Sequence, residues 1–135
     1  MVKIIIYGRL DGLNKYVNDN RNNRYKGSKN KRDNEKVVFK AIQALKDVEA
    51  CVYPISIRTT WYEPDKRRDG DNIVFAKKYI LDTLVKRGII KGDGQRYINS
   101  FVDIIKTDTE NPRIEIELHD GNIIEKVCEI YDIGL

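Results

Sequence analysis

The chain has 135 residues, enough to bury one hydrophobic core and too few for two well-stabilised ones, so we expect a single domain over residues 1–135. Lysine and arginine outnumber aspartate and glutamate by 25 to 21, and this mild basic excess favours a polyanionic partner. No apolar run approaches the roughly twenty residues that cross a bilayer, which argues against a membrane partner and predicts a cytoplasmic protein.

The amino-terminal part of the chain combines apolar segments with one long polar segment. Residues 2–7 are apolar and β-branched and end at Gly8, which predicts a buried strand. Residues 14–34 are polar and basic and lack apolar periodicity, which predicts a long basic loop. Its charge points to a polyanion, with a merely solvated segment as the alternative. From Asn34 to about Ala50, apolar residues recur at three- and four-residue spacings, which predicts an amphipathic helix.

The rest of the chain predicts further strands around a second helix. Residues 52–61 alternate in polarity, which predicts a strand. A second amphipathic helix is predicted from about Asn72 to Arg87, with Asp71 or Asn72 as its cap and Gly88 in the left-handed position after its end. The order of elements predicts an α+β fold, in which a small mixed β-sheet is covered by two helices and ends in a C-terminal β-hairpin. The remaining strands are predicted over residues 97–105, 113–118 and 122–131, the last two forming the hairpin around Asp120-Gly121.

Three aspartates stand in glycine-containing turns on either side of this second helix. Asp69 and Asp71 are separated by Gly70, and glycine lets the backbone turn tightly enough for both carboxylates to face one hard cation. Asp93, between two glycines, can complete such a site, because Mg²⁺ needs few carboxylates and keeps several waters. The same residues are also typical of a helix cap and a solvated turn, so the pattern alone leaves both interpretations open.

The distance between this pair and Asp93 is the difficulty for such a site. A helix of about fifteen residues is roughly 22 Å long, whereas residues 88–93 return at most about 17 to 20 Å when fully extended. Either the helix is shorter, or Asp93 returns on a strand-like segment beside it, or a dimer supplies Asp93 from the other subunit. The sequence leaves these three arrangements open.

Three blocks of residues, in this order, resemble the RusA-like Holliday-junction resolvases. A fourth block near the amino terminus and the basic segment behind it are also similar to the start of that family, so the resemblance spans most of the chain. The blocks are Gly8-x-x-x-Gly12-Leu13-Asn14-Lys15-Tyr16, Arg68-Asp69-x-Asp71-Asn72-Ile73, Lys78-x-Ile80-Leu81-Asp82-x-Leu84 and Gly88-x-Ile90-x-x-Asp93.

The resemblance implies a small, homodimeric, Mg²⁺-dependent endonuclease for which Mn²⁺ is a substitute. It implies that the three carboxylates of Asp69, Asp71 and Asp93 bind the metal and act in catalysis. Gly92 departs from the family, which often has a further aspartate at this place, but the aspartate that is catalytic in the family is kept as Asp93.

A catalytic lysine on the helix is also implied. We assign this role to Lys78, because its spacing to Asp82 matches the family. Lys77 competes for the role, since the lysine lies about two residues farther from the Asp-Asn pair than in the family. A surface ion pair between Lys78 and Asp82 is the alternative interpretation.

Basic side chains supply the expected contacts to DNA phosphates, and such contacts recognise the backbone and not the base sequence. The sequence thus predicts a homodimer that hydrolyses phosphodiesters of branched DNA, such as Holliday junctions, in recombination and repair. A non-catalytic module that binds branched nucleic acid and a metal-dependent ribonuclease are the alternatives. The nucleic-acid-binding residues are predicted to be Lys15, Arg21, Arg24, Lys26, Lys29, Lys31, Arg32, Arg67, Arg68 and Lys77.

Overall fold

A four-stranded mixed sheet lies at the centre of the computed structural model, which describes residues 2–45 and 52–120. In chain order the elements are β1 (Val2–Tyr7), α1 (Leu13–Asn22), α2 (Arg24–Ile42), a short 3₁₀ turn (Gln43–Leu45), β2 (Ile55–Glu63), α3 (Gly70–Val74), α4 (Lys77–Lys86), β3 (Ile98–Thr107) and β4 (Arg113–Asp120). The strands lie in the order β1-β4-β2-β3, with β4 antiparallel to both of its neighbours and β2 parallel to β3.

The core lies between one face of the sheet and the helices. On β2, Ile57 and Trp61 point to this side, where Trp61 is opposite Ile114 of β4. The helices bury their own apolar stripes against the same layer, because a period of 3.6 residues brings every third or fourth side chain to one face. These helical core residues are Val38 and Ile42 of α2 and Tyr79, Ile80 and Leu84 of α4.

The crossover between β2 and β3 determines where the predicted site residues lie. Parallel neighbouring strands need a connection that returns to the starting end of the sheet, and α3 and α4 supply it. Residues that follow β2 therefore lie at one end of the two strands, and residues that precede β3 lie at the other.

The predicted fold class is confirmed, because a small mixed sheet is covered by helices. The strand over residues 2–7 is confirmed, and Gly8 and Gly88 both have the positive φ angles of the left-handed region, at 86° and 74°. The first hairpin strand is present as β4, whereas its predicted partner over residues 122–131 lies outside the described residues. Within the described part of the chain, no helix is long and apolar enough to span a membrane.

The prediction of a long basic loop over residues 14–34 is wrong, because this segment forms α1 and the first half of α2. The buried stripe of α2 continues through it at helical spacing, but its first members are polar, so a search for apolar periodicity misses it. Asn23 starts the helix by accepting a hydrogen bond from the Lys26 amide at 2.7 Å. The stripe consists of Gly27, Asn30, Asn34, Val38 and Ile42.

The second predicted helix is broken into α3 and α4. Near the break, the amides of Ala76 and Lys78 donate to carbonyls three residues back, those of Ile73 and Phe75. These tighter bonds interrupt the α-helical ladder. The described residues therefore form four α-helices, where the sequence predicted two.

Candidate metal and nucleic-acid site

Asp69 and Asp71, hereafter the aspartate pair, lie just beyond the carboxyl ends of β2 and β3. Asp69 occupies the N-cap position of α3 and Asp71 lies in its first turn, and both side chains are exposed. Between them, Gly70 packs beside β3, since a Cβ added there would lie 3.3 Å from Ile105 Cδ1. The cap predicted at Asp71 or Asn72 is wrong, because Asp69 occupies the N-cap position and its side chain makes no capping hydrogen bond.

A buried ion pair fixes the chain immediately before the aspartate pair. The Arg68 guanidinium donates from Nε and Nη2 to the two carboxylate oxygens of Glu63, at 2.9 and 2.8 Å. Its Nη1 donates to the Leu10 carbonyl at 3.2 Å. Bidentate arginine–carboxylate pairs restrict geometry as well as adding energy. This unit of Arg68, Glu63 and the Leu10 carbonyl, hereafter the Arg68 clamp, holds the aspartate pair against the end of β2.

Asn72 fixes the chain on the other side of the pair. Its Oδ1 accepts a hydrogen bond from the Asn14 amide at 3.0 Å, in the first turn of α1. Gly12, the N-cap of α1, has no side chain to cap the helix, so Asn72 supplies the missing acceptor. A Cβ on Gly12 would lie 2.4 Å from Asn72 Oδ1 and 2.8 Å from the Asn72 carbonyl oxygen, which explains the glycine.

A buried polar cluster holds α1 against α2 and α4. The Asn30 side-chain amide donates to Asp11 and to Asp19, and its oxygen accepts the Tyr79 hydroxyl at 2.6 Å. A hydrogen bond from Lys15 is the main cause that lowers the pKa of Asp19, and burial raises the pKa of the Tyr79 phenol. The cluster is a scaffold for α1 and thereby for Asn72.

Asp93 lies at the opposite end of β3 from the aspartate pair. The Gly94 carbonyl accepts the amides of Tyr97 and Ile98, so the turn that carries Asp93 abuts the start of the strand. The seven residue-to-residue steps from Ile98 to Ile105 span about 23 Å of strand. Within the described residues, no group of three or more histidine, cysteine, aspartate or glutamate side chains is placed to hold a metal ion. A single chain therefore does not bring Asp93 together with the aspartate pair.

The predicted metal ligands share one feature, which is that their carboxylates have no side-chain partner. Among the acidic side chains that the structure describes, this holds only for Asp69, Asp71, Asp93 and Glu110. Asp71 accepts a hydrogen bond only from the neighbouring Asn72 amide. The other described acids have a basic or amide partner: Asp11, Asp19, Asp33, Glu35, Glu63, Asp65, Asp82, Asp103, Asp108, Glu115 and Glu117.

The two candidate lysines have different surroundings. Lys77 forms an ion pair with Asp103 and lies over the Phe101 ring, 4.5 Å from its centroid. Lys78 is exposed, and its Nζ lies 5.2 Å from the centroid of the Tyr16 ring.

The predicted alternative for Lys78, an ion pair with Asp82, is not formed, because Asp82 pairs with Lys31 at 3.5 Å. A hydrogen bond with Asn20 is the main cause that lowers the pKa of Tyr16, and the Lys78 charge is the second. The Lys78 ammonium group therefore forms no ion pair with a carboxylate in the described part of the chain.

The predicted nucleic-acid-binding residues fall into three groups. Arg68 and Lys77 are largely buried in structural ion pairs and are poorly placed to meet a phosphate. Four more form surface ion pairs, which are worth little and can be exchanged for a phosphate: Lys15, Lys29, Lys31 and Arg67. The remaining four of these predicted residues are exposed and form no ion pair among the described residues: Arg21, Arg24, Lys26 and Arg32.

Sequence reasoning missed the residues that hold the site in place. Glu63 continues the inward face of β2 formed by Ile57, Thr59 and Trp61, and a charge at an inward strand position signals a buried partner. Asn72 carried no such signal, since its partner lies 58 positions away along the chain.

No protein-family model and no curated protein matches this chain. Among solved structures, the chain is similar to the periplasmic domain of MotB from Helicobacter pylori, with 17% sequence identity, a TM-score of 0.33, and coverage of 79% of this chain and 76% of that one. A similarity this weak carries no argument about fold or function.

Proposed function

We propose that the protein is a metal-dependent endonuclease that cuts branched DNA. The observation that carries the proposal is the state of the aspartate pair. Two exposed carboxylates without side-chain partners are fixed by the Arg68 clamp on one side and by Asn72 on the other. Two like charges that are held close together without partners do not stabilise the fold. The same arrangement is suited to binding a cation.

The donor set fits a hard divalent ion such as Mg²⁺. Asp69 and Asp71 supply anionic oxygens, and this ion typically takes one or two carboxylates and keeps several waters. When bound, it would supply positive charge beside a scissile phosphate. The chain itself would hold the ion through the aspartate pair and orient the pair through Gly70, which lies against Ile105.

A twofold dimer offers a way for Asp93 to join the pair. Among the described strands, β3 pairs only with β2, so its outer edge is available to a second copy. Two antiparallel copies of β3 would exchange ends, so that the Asp93 end of one subunit meets the aspartate pair of the other. Phe101 and Ile105 of β3 are 42% and 46% exposed, as expected for apolar side chains at such an interface.

The basic residues would then bind and orient the DNA. Lys78 is the favoured catalytic lysine, because its ammonium is not taken by a carboxylate and can meet a phosphoryl oxygen. Lys77 is the second choice, since Asp103 holds it. The unpaired cations of α1 and α2 would contact the backbone of DNA arms. The branched substrate and the homodimer follow the resemblance described above, and the cytoplasmic location stays the prediction made from the sequence.

The test is cleavage of end-labelled four-way junction, linear duplex and RNA, each with Mg²⁺ or with chelator. The expected result is Mg²⁺-dependent cutting of the junction that Asp71→Asn lowers by at least about 100-fold, as when one charge-stabilising group is lost. Binding of the junction in chelator should be unchanged, because the basic residues are intact.

Glu110→Gln is the matched control, because Glu110 is also an exposed carboxylate without a side-chain partner but lies in the turn between β3 and β4. It should cut at the parental rate. If the protein bound the junction but did not cut it with any metal, the alternative of a non-catalytic binding module would be supported. If it cut only RNA, the alternative of a ribonuclease would be supported. Parental cutting by Asp71→Asn would overturn the proposal.

A further inference from the structure

A basic groove runs between α2 and α4, away from the aspartate pair. It consists of two adjoining hollows of about 390 and 480 Å³ that share Phe39, Lys86 and Arg87. From the start of α4 to these two cations at its end is about 15 Å along the helix axis. The aspartate pair precedes the start of α4 along the chain, whereas these two cations lie at its end. The charged residues that line the groove are Arg32, Glu35, Lys36, Lys86 and Arg87.

A stacked cation lies at the centre of the groove. The Arg87 guanidinium covers the Phe39 ring with its central carbon 3.5 Å from the ring centroid. Arg87 is the C-cap of α4 and is exposed, whereas Phe39 packs partly against the core. One face of the planar guanidinium is therefore taken by Phe39, and the other can receive a flat partner.

The charges around this stack are strongly one-sided. Lys86 forms an ion pair with Glu35 at 2.9 Å, which joins α4 to α2 and neutralises the only acid of the groove. Arg32 and Lys36 are exposed one helical turn apart, without an ion pair among the described residues. Together with Arg87 they give the groove a net positive charge. It offers two contacts for phosphates beside one flat cationic surface.

We infer that this groove binds an unpaired stretch of a nucleic-acid strand, with a base stacked on Arg87 and the neighbouring phosphates on Arg32 and Lys36. Unpaired bases stack on aromatic rings and on guanidinium planes, whereas bases within a duplex present no free face. An acidic peptide would use the charges but would leave the stack unused. The inference rests on the proposed function only in taking a nucleic acid as the ligand. It deepens the proposed function by adding a binding site for the single strands next to the branch.

The test measures binding in chelator by fluorescence anisotropy, so that no cutting is needed. The probes are a short labelled oligothymidine and a duplex with the same number of phosphates. Arg87→Lys keeps the charge and removes the flat surface, so it should weaken oligothymidine binding by about 5- to 150-fold, the range for loss of one stacked base. Binding of the duplex should stay within about twofold.

The charge contacts are tested by the salt dependence. Lys36→Gln should lower the slope of log affinity against log salt by about 0.7 for the single strand, one phosphate contact, whereas Arg87→Lys should leave the slope unchanged. Lys40→Gln is the matched control, because Lys40 is an exposed lysine of α2 that lies beside Tyr7 and Val37, outside the groove. It should change neither affinity nor slope.

Oligothymidine binding unchanged by Arg87→Lys would overturn the inference. An equal loss on duplex would also overturn it, since it would show a general backbone contact. The inference would also be overturned if Lys36→Gln and Lys40→Gln lowered the salt slope equally, or if the protein did not bind oligothymidine at all. The proposed function is judged separately, by whether the junction is cut with Mg²⁺ and whether Asp71→Asn abolishes that cutting.

Discussion

Glu63 and the aspartate pair lie six to eight positions apart, yet their carboxylates are in opposite states. Glu63 is buried, with 5% of its side chain exposed, and both of its oxygens accept from Arg68. Asp69 and Asp71 are exposed and have no side-chain partner in the described part of the chain. The same chemical group thus serves the fold at one position and is left available at the next.

The difference follows from where each residue lies relative to β2, on the inward face of the strand or beyond its end. Glu63 ends β2 on its inward face, where a charge must be paired to be buried. Asp69 and Asp71 lie beyond the strand, where water solvates them and no pairing is required. A segment that is rigid because of its buried neighbours can therefore present carboxylates that contribute nothing to stability.

The largest expected effect on stability comes from breaking the Arg68 clamp. Arg68→Met leaves the buried Glu63 carboxylate without its main partner, and the free energy of unfolding should fall by about 3 to 5 kcal/mol. Urea denaturation measures this change. The neighbouring Arg67→Met is the control, because that side chain is 89% exposed and its loss should cost at most about 0.5 kcal/mol. Equal effects of the two variants would show that the clamp does not hold the segment.

A smaller effect is expected at the junction between Asn72 and α1. Asn72→Ala removes the acceptor for the Asn14 amide and should lower the free energy of unfolding by about 1 kcal/mol, as loss of a helix cap does. Asn72→Asp keeps an acceptor at the same place and should recover most of that loss. Urea denaturation of the parent and the two variants measures these changes. If Asn72→Ala were as stable as the parent, Asn72 would not act as the cap of α1.

The sheet could be predicted from the sequence, and the helical hairpin of α1 and α2 could not. β1 and β4 follow local patterns of β-branched and alternating residues, which decide strand formation over a few positions. The buried stripe of α2 begins with Gly27, Asn30 and Asn34, and the two asparagines bond to partners distant in the sequence, Asn30 to Asp19 and Tyr79, and Asn34 to Asp11. A stripe that is satisfied by hydrogen bonds carries no apolar signal, so a single sequence presents it as a loop.

The residues of the candidate site could be selected from the sequence, whereas their arrangement in the fold could not. The spacing of glycine and aspartate marks Asp69, Asp71 and Asp93, and these are among the few unpartnered acids of the described residues. Their separation depends on β2 and β3 being parallel, which no local pattern shows. The length of the helix already indicated that Asp93 is hard to bring back within one chain.

The smallest expected effect concerns a paired carboxylate at low pH. Lys3 donates to Glu115 and is the main cause that lowers the pKa of this carboxyl below its ordinary value of 4.5. The contribution of the charged Glu115 carboxylate to the free energy of unfolding is complete above pH 4.5, and it is lost as the pH falls through the lowered pKa. At pH 7, Glu115→Gln should cost about 1 kcal/mol or less. The difference from the parent in urea midpoint should vanish in strong acid, and a difference that persists there would contradict this origin.

The most direct test of the central claim is subunit mixing. Asp71→Asn and Asp93→Asn should each be inactive on a four-way junction with Mg²⁺. After subunit exchange, half of the dimers would be mixed and each would hold one intact site, so nicking should return to about a quarter of the parental rate. A mixture as inactive as its two components would contradict a site formed by carboxylates of both subunits.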